Sequence, residues 1–209
     1  MGTRVKICGI QTTGVLDAAS RADWVGFVFF AESPRYLTPV QAAALLYGRS
    51  APKRVGLFVA PSDADVLETL RVVDLDVLQV YASETRVEQL RILTGLEIWR
   101  SVGVDSPADL PERSAADALV VEPRPLPGSS RPGGNALAMN WALTRQWAAP
   151  VPWMLAGGLT PDNVGEAIAR SGAQAVDVSS GVERSLGIKD PVLVREFLRA
   201  ARAASSPAS

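Results

Sequence analysis

The chain has 209 residues, 47% of them hydrophobic, a formal net charge of −1, one cysteine and no histidine. That is enough apolar material for a core without disulfides; a lone cysteine excludes an intrachain bridge or a cysteine-based zinc cluster, and the lack of histidine excludes Ser-His and Cys-His pairs. The near-neutral charge gives no broad attraction to nucleic acid or an anionic membrane, no apolar run nears the roughly 20 residues of a spanning helix, and the start MGTRVKICGI lacks an apolar core of signal length. The expectation is a soluble, cytoplasmic protein in a reducing compartment.

The first strand is read in RVKIC (4–8) and the second in WVGFVF (24–29). A helix follows, because Thr38-Pro39-Val40-Gln41 offers an N-cap threonine, a proline at the first helical position and a capping-box glutamine ahead of QAAALLY. RVGLFV (54–59) and DVLQV (76–80) are the third and fourth strands, with weaker helical periodicity after them at 62–72 and 84–94. LEIWRSV (96–102) is the fifth strand, and 107–116 makes a poor helix. ALVV (118–121) is the sixth, followed by a stretch rich in proline, glycine and serine at 122–139, a length that marks a functional or a disordered loop. PWMLA (152–156) is the seventh; Thr160-Pro161-Asp162-Asn163 starts a helix that Gly172 stops. AVDVS (175–179) is the eighth, and Asp190-Pro191 opens a last helix with Val194, Phe197, Leu198 and Ala201 on one face. The small polar end, 203–209, reads as frayed.

Short continuous apolar runs suit strands covered on both faces, and strand–helix alternation implies right-handed βαβ units in a parallel sheet. Eight repeats over residues 1–209 fit one α/β domain, a compact (β/α)8 TIM barrel. The rival is an open doubly wound sheet, against which stands the lack of a G-x-G-x-x-G after the first strand.

In such a barrel chemistry sits where strands end at their C-terminal side. Cys8 ends strand one, Glu122 follows strand six, Gly157-Gly158 follows strand seven, and Asp177 with Ser179-Ser180-Gly181 closes strand eight. Glycine-lined turns after the last two strands suit a phosphate, although they also read as plain turns. A lone cysteine is ordinarily a small buried hydrophobe, but Cys8 has Lys6 two residues back on the same side, a cation able to tune its pKa. Lys6 equally reads as a charged layer inside the barrel. Arg35, in SPRYLTP after strand two, reads as a solvated arginine or as a fork for a carboxylate.

The stretches VKICGI, GFVFFAESPRYLTPVQAA, VGLFV, MLAGGLTPDNVGEAI and AVDVSSGVERSLGIKDP together run from the first strand to the last helix. In these the chain resembles the phosphoribosylanthranilate isomerases of tryptophan biosynthesis. The resemblance implies an Amadori rearrangement of N-(5-phosphoribosyl)anthranilate to 1-(2-carboxyphenylamino)-1-deoxyribulose 5-phosphate, with no metal and no organic cofactor. It implies Cys8 as the base, the residue at 122 as the acid, and Arg35 as the holder of the anthranilate carboxylate. Lys6, Gln79 and Asp177 join Arg35 as substrate-binding residues, and Gly157, Gly158, Ser180 and Gly181 hold the phosphate. The partner is a small phosphorylated substrate, and the molecule a monomer or homodimer.

The chain departs from the family pattern in three places. Glu122 stands where an aspartate ends strand six, one methylene further out. Tyr81 stands for the histidine of a QLHG-like run, with Gln79 retained. PGGNALAMNW replaces a GGTGKTFDW-like run, so that Asn140 stands for an aspartate while Trp141 is kept. The other readings of these residues are a non-catalytic barrel that binds a phosphorylated ligand, and a different sugar-phosphate isomerase.

Overall fold

In a computed structural model that describes residues 2–125, 128, 133 and 139–204, eight parallel strands close on themselves in the order β1 to β8. They are Arg4–Cys8, Trp24–Val28, Lys53–Val59, Val77–Tyr81, Glu97–Val104, Ala118–Pro123, Trp153–Leu155 and Ala175–Val178. β1 pairs with both β2 and β8, which closes the ring. The expected barrel is therefore observed, with strand limits moved by one or two residues.

Two side-chain layers explain the continuous apolar runs. Alternate residues face opposite sides of the sheet: Val5 and Ile7, or Leu119 and Val121, join the outer core beneath the helices. Lys6 and Cys8, or Val120 and Glu122, take the other side. Inside the ring Trp24 and Trp99 meet edge to face, 5.2 Å between centroids, among Val55, Val77, Ala118, Val120 and Met154. This packed plug fills the lower barrel beneath the end where the strands finish.

The helices are α1 (Thr13–Ala18), α2 (Pro39–Leu46), α3 (Asp63–Leu70), α4 (Glu84–Thr94), α5 (Val164–Ser171) and α6 (Pro191–Ala203). The predicted capping box of α2 is present: Gln41 N–H donates to Thr38 Oγ1 at 3.2 Å, and Thr38 N–H donates to Gln41 Oε1 at 2.9 Å. At α6 Asp190 caps Val192 N–H at 2.7 Å ahead of Pro191. α5 begins later than its sequence signal. Thr160 N–H donates to Asn163 Oδ1 at 2.8 Å, which holds 160–163 as a turn before the helix. Between β5 and β6 the poor helix shrinks to a 3-10 turn at Pro107–Asp109, and between β6 and β7 the only helical piece among the described residues is a 3-10 turn at Trp141–Thr144. A two-stranded hairpin, β9 (Glu183–Ser185) and β10 (Ile188–Lys189), follows β8.

Most of the predicted loop at 122–139 lies outside the described residues, although Glu122 and Pro123 belong to β6. Residues 205–209 of the predicted frayed end also lie outside them, whereas Ala203 is still helical. Among the described residues no helix is long and apolar enough to cross a membrane.

Candidate active site

At the C-terminal end of the strands lies a cavity with about 850 Å³ of space continuous with solvent. Cys8, Arg35, Gln79, Glu122, Asp177, Gly157, Gly158, Ser180 and Gly181 all line it. They come from both ends of the sequence and meet because the ring closes between β1 and β8. Val28, Phe30, Leu57 and Val59 form an apolar wall on the β2–β3 side. The glycine turns after β7 and β8 lie on the other.

Lys6 is the predicted substrate-binding residue that does not reach this wall. It is fully buried below the floor, and its Nζ donates to Asp177 Oδ1 at 3.0 Å. The reason is strand alternation: the position two residues before Cys8 shares its direction but sits one layer deeper. Burial opposes charge on Lys6, but Asp177 and Cys8 outweigh it and raise its pKa, so the ammonium persists. Lys6 thus acts on a ligand only through Asp177 and Cys8.

Cys8 is 4% exposed, its sulfur beside Val28 and Leu57. Burial pushes its thiol above the ordinary value; Lys6 and Lys189 pull it back only in part, and Asp177 adds to the rise. The thiol is thus protonated at rest; it faces the cavity, while Lys6 and Lys189, buried behind the cavity lining, favour its ionised form. Glu122 is also buried, and its pKa is raised to about 8 by that burial and by Asp177, against the pull of a hydrogen bond from Tyr81 and of Lys6. Its carboxyl carries a proton at neutral pH.

Arg35 differs from its expected setting. It is buried, and Nε and Nη2 donate to Glu183 Oε1 and Oε2 at 2.6 and 3.0 Å. The fork for a carboxylate is present, but one edge of it is filled by a carboxylate of the chain itself. Guanidinium has five N–H donors, so its other donors stay available to a ligand. Lys189 joins the cluster: its Nζ donates to Glu183 Oε1 at 3.1 Å and to Ser179 O at 2.9 Å. Burial lowers the Lys189 pKa, against the opposing pull of Glu183. Neither Glu183 nor Lys189 was singled out from the sequence, where charged residues in a post-strand turn read as solvated. The available signal was their place in the matched run SSGVERSLGIKDP, directly after the expected phosphate turn.

The glycine turns after β7 and β8, the predicted phosphate site, have a steric requirement. A Cβ on Gly181 would lie 1.7 Å from Leu159 O, so the turn after β8 packs against the loop after β7 with no room for a side chain. Asn163 supports that loop by donating to Gly158 O at 2.9 Å. Gly181→Ala is expected to force the two turns apart, costing about 1–3 kcal/mol of stability by overpacking and raising KM for a phosphorylated substrate more than it lowers kcat. Urea unfolding and steady-state kinetics on the variant check both.

A closed parallel barrel with a thiol, a protonated carboxyl and glycine turns converging at its strand ends defines an enzyme of the (β/α)8 class. The family model described as N-(5'phosphoribosyl)anthranilate (PRA) isomerase matches residues 5–200, and the chain belongs to that family. The N-(5'-phosphoribosyl)anthranilate isomerase of Acidiphilium cryptum (strain JF-5) is 48% identical over 204 residues, covering 96% of this chain and 99% of its own. The crystal structure of TrpF from Jonesia denitrificans superposes with a TM-score of 0.83 at 29% identity, covering 99% of this chain and 100% of that one. A phosphoribosyl anthranilate isomerase in complex with reduced 1-(o-carboxyphenylamino)-1-deoxyribulose 5-phosphate matches at a TM-score of 0.79 and 30% identity, over 96% and 99% of the two chains.

Proposed function

We propose that this chain, acting as a single barrel domain in the cytoplasm, isomerises N-(5'-phosphoribosyl)anthranilate to 1-(2-carboxyphenylamino)-1-deoxyribulose 5-phosphate, with Glu122 as acid and Cys8 as base. Family membership supports the reaction. The observation that carries the residue assignment is the protonated Glu122 carboxyl sharing one cavity with the Cys8 thiol. Glu122 gives its proton to the ribose ring oxygen, the ring C1–O bond breaks, and the nitrogen lone pair forms the Schiff base. The Cys8 thiolate then takes the C2 proton, and those electrons give the enolamine, which tautomerises to the ketone. The apolar wall of Val28, Phe30, Leu57 and Val59 suits the aromatic ring, with the free donors of Arg35 beside it for the carboxylate. The cradle of Gly157, Gly158, Ser180 and Gly181 takes the phosphate.

The two ionisations set the pH dependence. The working form pairs a thiolate with a carboxylic acid, yet the thiol is the weaker acid of the two. Below about 8 the thiolate fraction grows with pH while Glu122 stays protonated. Above that, each gain in thiolate is cancelled by loss of the acid, until the thiol is fully ionised and activity falls. The expected kcat/KM profile rises tenfold per unit, levels near pH 8 and declines at high pH.

Glu122→Gln is expected to lower kcat by about 10²–10⁴-fold and to remove the levelling. A Gln variant at the wild-type rate, or one whose profile still levels near pH 8, would falsify the acid assignment. Stability gives an independent readout. The folded pKa of about 8 lies above the ordinary 4.5, so the unfolded chain releases this proton first and the wild type loses stability as pH rises through that interval. Glu122→Gln lacks the loss, and its advantage in thermal unfolding grows from pH 4.5 to 8, reaching the order of a few kcal/mol.

A further inference from the structure

Tyr81 ends β4 and Glu122 stands near the end of β6, with β5 between them. Tyr81 Oη donates to Glu122 Oε1 at 2.5 Å. These are two of the positions at which the chain departs from the family pattern, and the two departures meet in one hydrogen bond. Behind the phenol, Gln79 Nε2 donates to Ser101 Oγ at 2.9 Å, and the Ser101 hydroxyl pulls the phenol's pKa down in part. The geometry that bears on the carboxyl directly is the Tyr81 bond to it. Above the pair runs the main chain at Gly133, where a Cβ would lie 2.1 Å from Tyr81 Oη and 2.6 Å from Glu122 Oε2. The contact leaves no room for a side chain there.

We propose that Tyr81 is the positioning residue of the proton donor: it fixes the Glu122 carboxyl, keeps the transferable proton on Oε2, and stabilises the carboxylate left after transfer. This rests on Glu122 being the acid. An oxygen that accepts from a phenol at 2.5 Å is not the oxygen that donates, so the acid proton is assigned to the other one. Once that proton has left, the same phenol donates to an anion, and a hydrogen bond to a charged group is about twice as strong as one between neutral groups. The interaction is therefore stronger after proton transfer than before, which is what a rate effect requires. Burial and the neighbouring Glu122 hold the phenol's own pKa well above its ordinary value, so it remains a donor throughout.

The test is Tyr81→Phe, alone and with Glu122→Gln. Expected for the single variant is a fall in kcat of roughly ten- to a hundredfold, with KM nearly unchanged. The levelling of kcat/KM moves upward from about 8, since a bond that favours the carboxylate is gone. Carbon-13 NMR of the Glu122 carboxyl is expected to titrate upward in step, a readout that needs no activity. In the Glu122→Gln background Tyr81→Phe changes nothing further. An unchanged rate and profile in Tyr81→Phe, or an equal loss on top of Glu122→Gln, overturns the proposal. Wild-type activity in Glu122→Gln removes the acid assignment itself; an inactive Glu122→Gln beside a normal Tyr81→Phe removes only the role of Tyr81. Should Tyr81→Phe not fold, Ser101→Ala keeps the phenol and is expected to move the same limb upward by less; an unmoved limb in the folded Ser101→Ala protein overturns the proposal.

Discussion

Cys8→Ser is expected to lower kcat by about 10²–10⁴-fold while KM stays close to wild type. A hydroxyl has nearly the size of a thiol but ionises many units higher, so no base remains to take the C2 proton. The glycine turns after β7 and β8, which would hold the phosphate, are untouched by the change. Stability should fall little, because the side chain is small and one face already borders the cavity. Substrate consumption above the spontaneous rate, with an unfolding curve on the same sample, measures both quantities. A serine variant that turns over like the wild type would end the assignment of Cys8, whatever became of Glu122.

The largest stability effect belongs to Lys6→Met. Lys6 is wholly buried and its partner Asp177 nearly so, at 3.0 Å. Removing the cation leaves a carboxylate in the barrel with its charge uncompensated, for which about 3–5 kcal/mol is typical. Removing both charges, as in Lys6→Met with Asp177→Leu, is expected to recover much of that loss, since neither ion must then be desolvated. Urea unfolding of the single and double variants forms the cycle. A double variant as unstable as the single one would show that packing of the lysine stem, not its charge, dominates. The single variant also loses the group that most strongly pulls the thiol pKa down, so its kcat/KM at pH 7 falls and the alkaline limb moves up.

Much of the barrel was legible because its strands are unbroken apolar runs and its best helices carry strong end signals, as at Thr38-Pro39 and Asp190-Pro191. What could not be read depended on contacts between distant segments. α1 was not foreseen: six residues, Thr13–Ala18, are too few to establish a periodicity. The spans after β5 and β6 hold 3-10 turns, consistent with the weak helical pattern of 107–116. At the site, strand ends and glycine turns brought the cavity-lining residues to notice. The depth of Lys6 was open because a strand's alternation tells which side a residue faces but not which layer it occupies. Arg35 was legible as a carboxylate fork, but its occupant Glu183 lies 148 positions away and meets it only because the mouth is circular. Tyr81 and Glu122 looked like two separate departures, and only their 2.5 Å contact makes them one feature.

The thinnest junction of the ring has its own consequence. β7 and β8 share a single paired position, Leu155 with Val176, while β5 and β6 are paired from Trp99–Ala118 to Val104–Pro123. Beyond that single pair the two strands are joined through the turns that follow them, where Gly181 packs against Leu159 O. An anion bound by both turns would add a tie across this junction, so occupancy and closure of the cylinder would be coupled. By the same linkage, a phosphorylated ligand held by these turns is expected to stabilise the barrel at its least-paired junction.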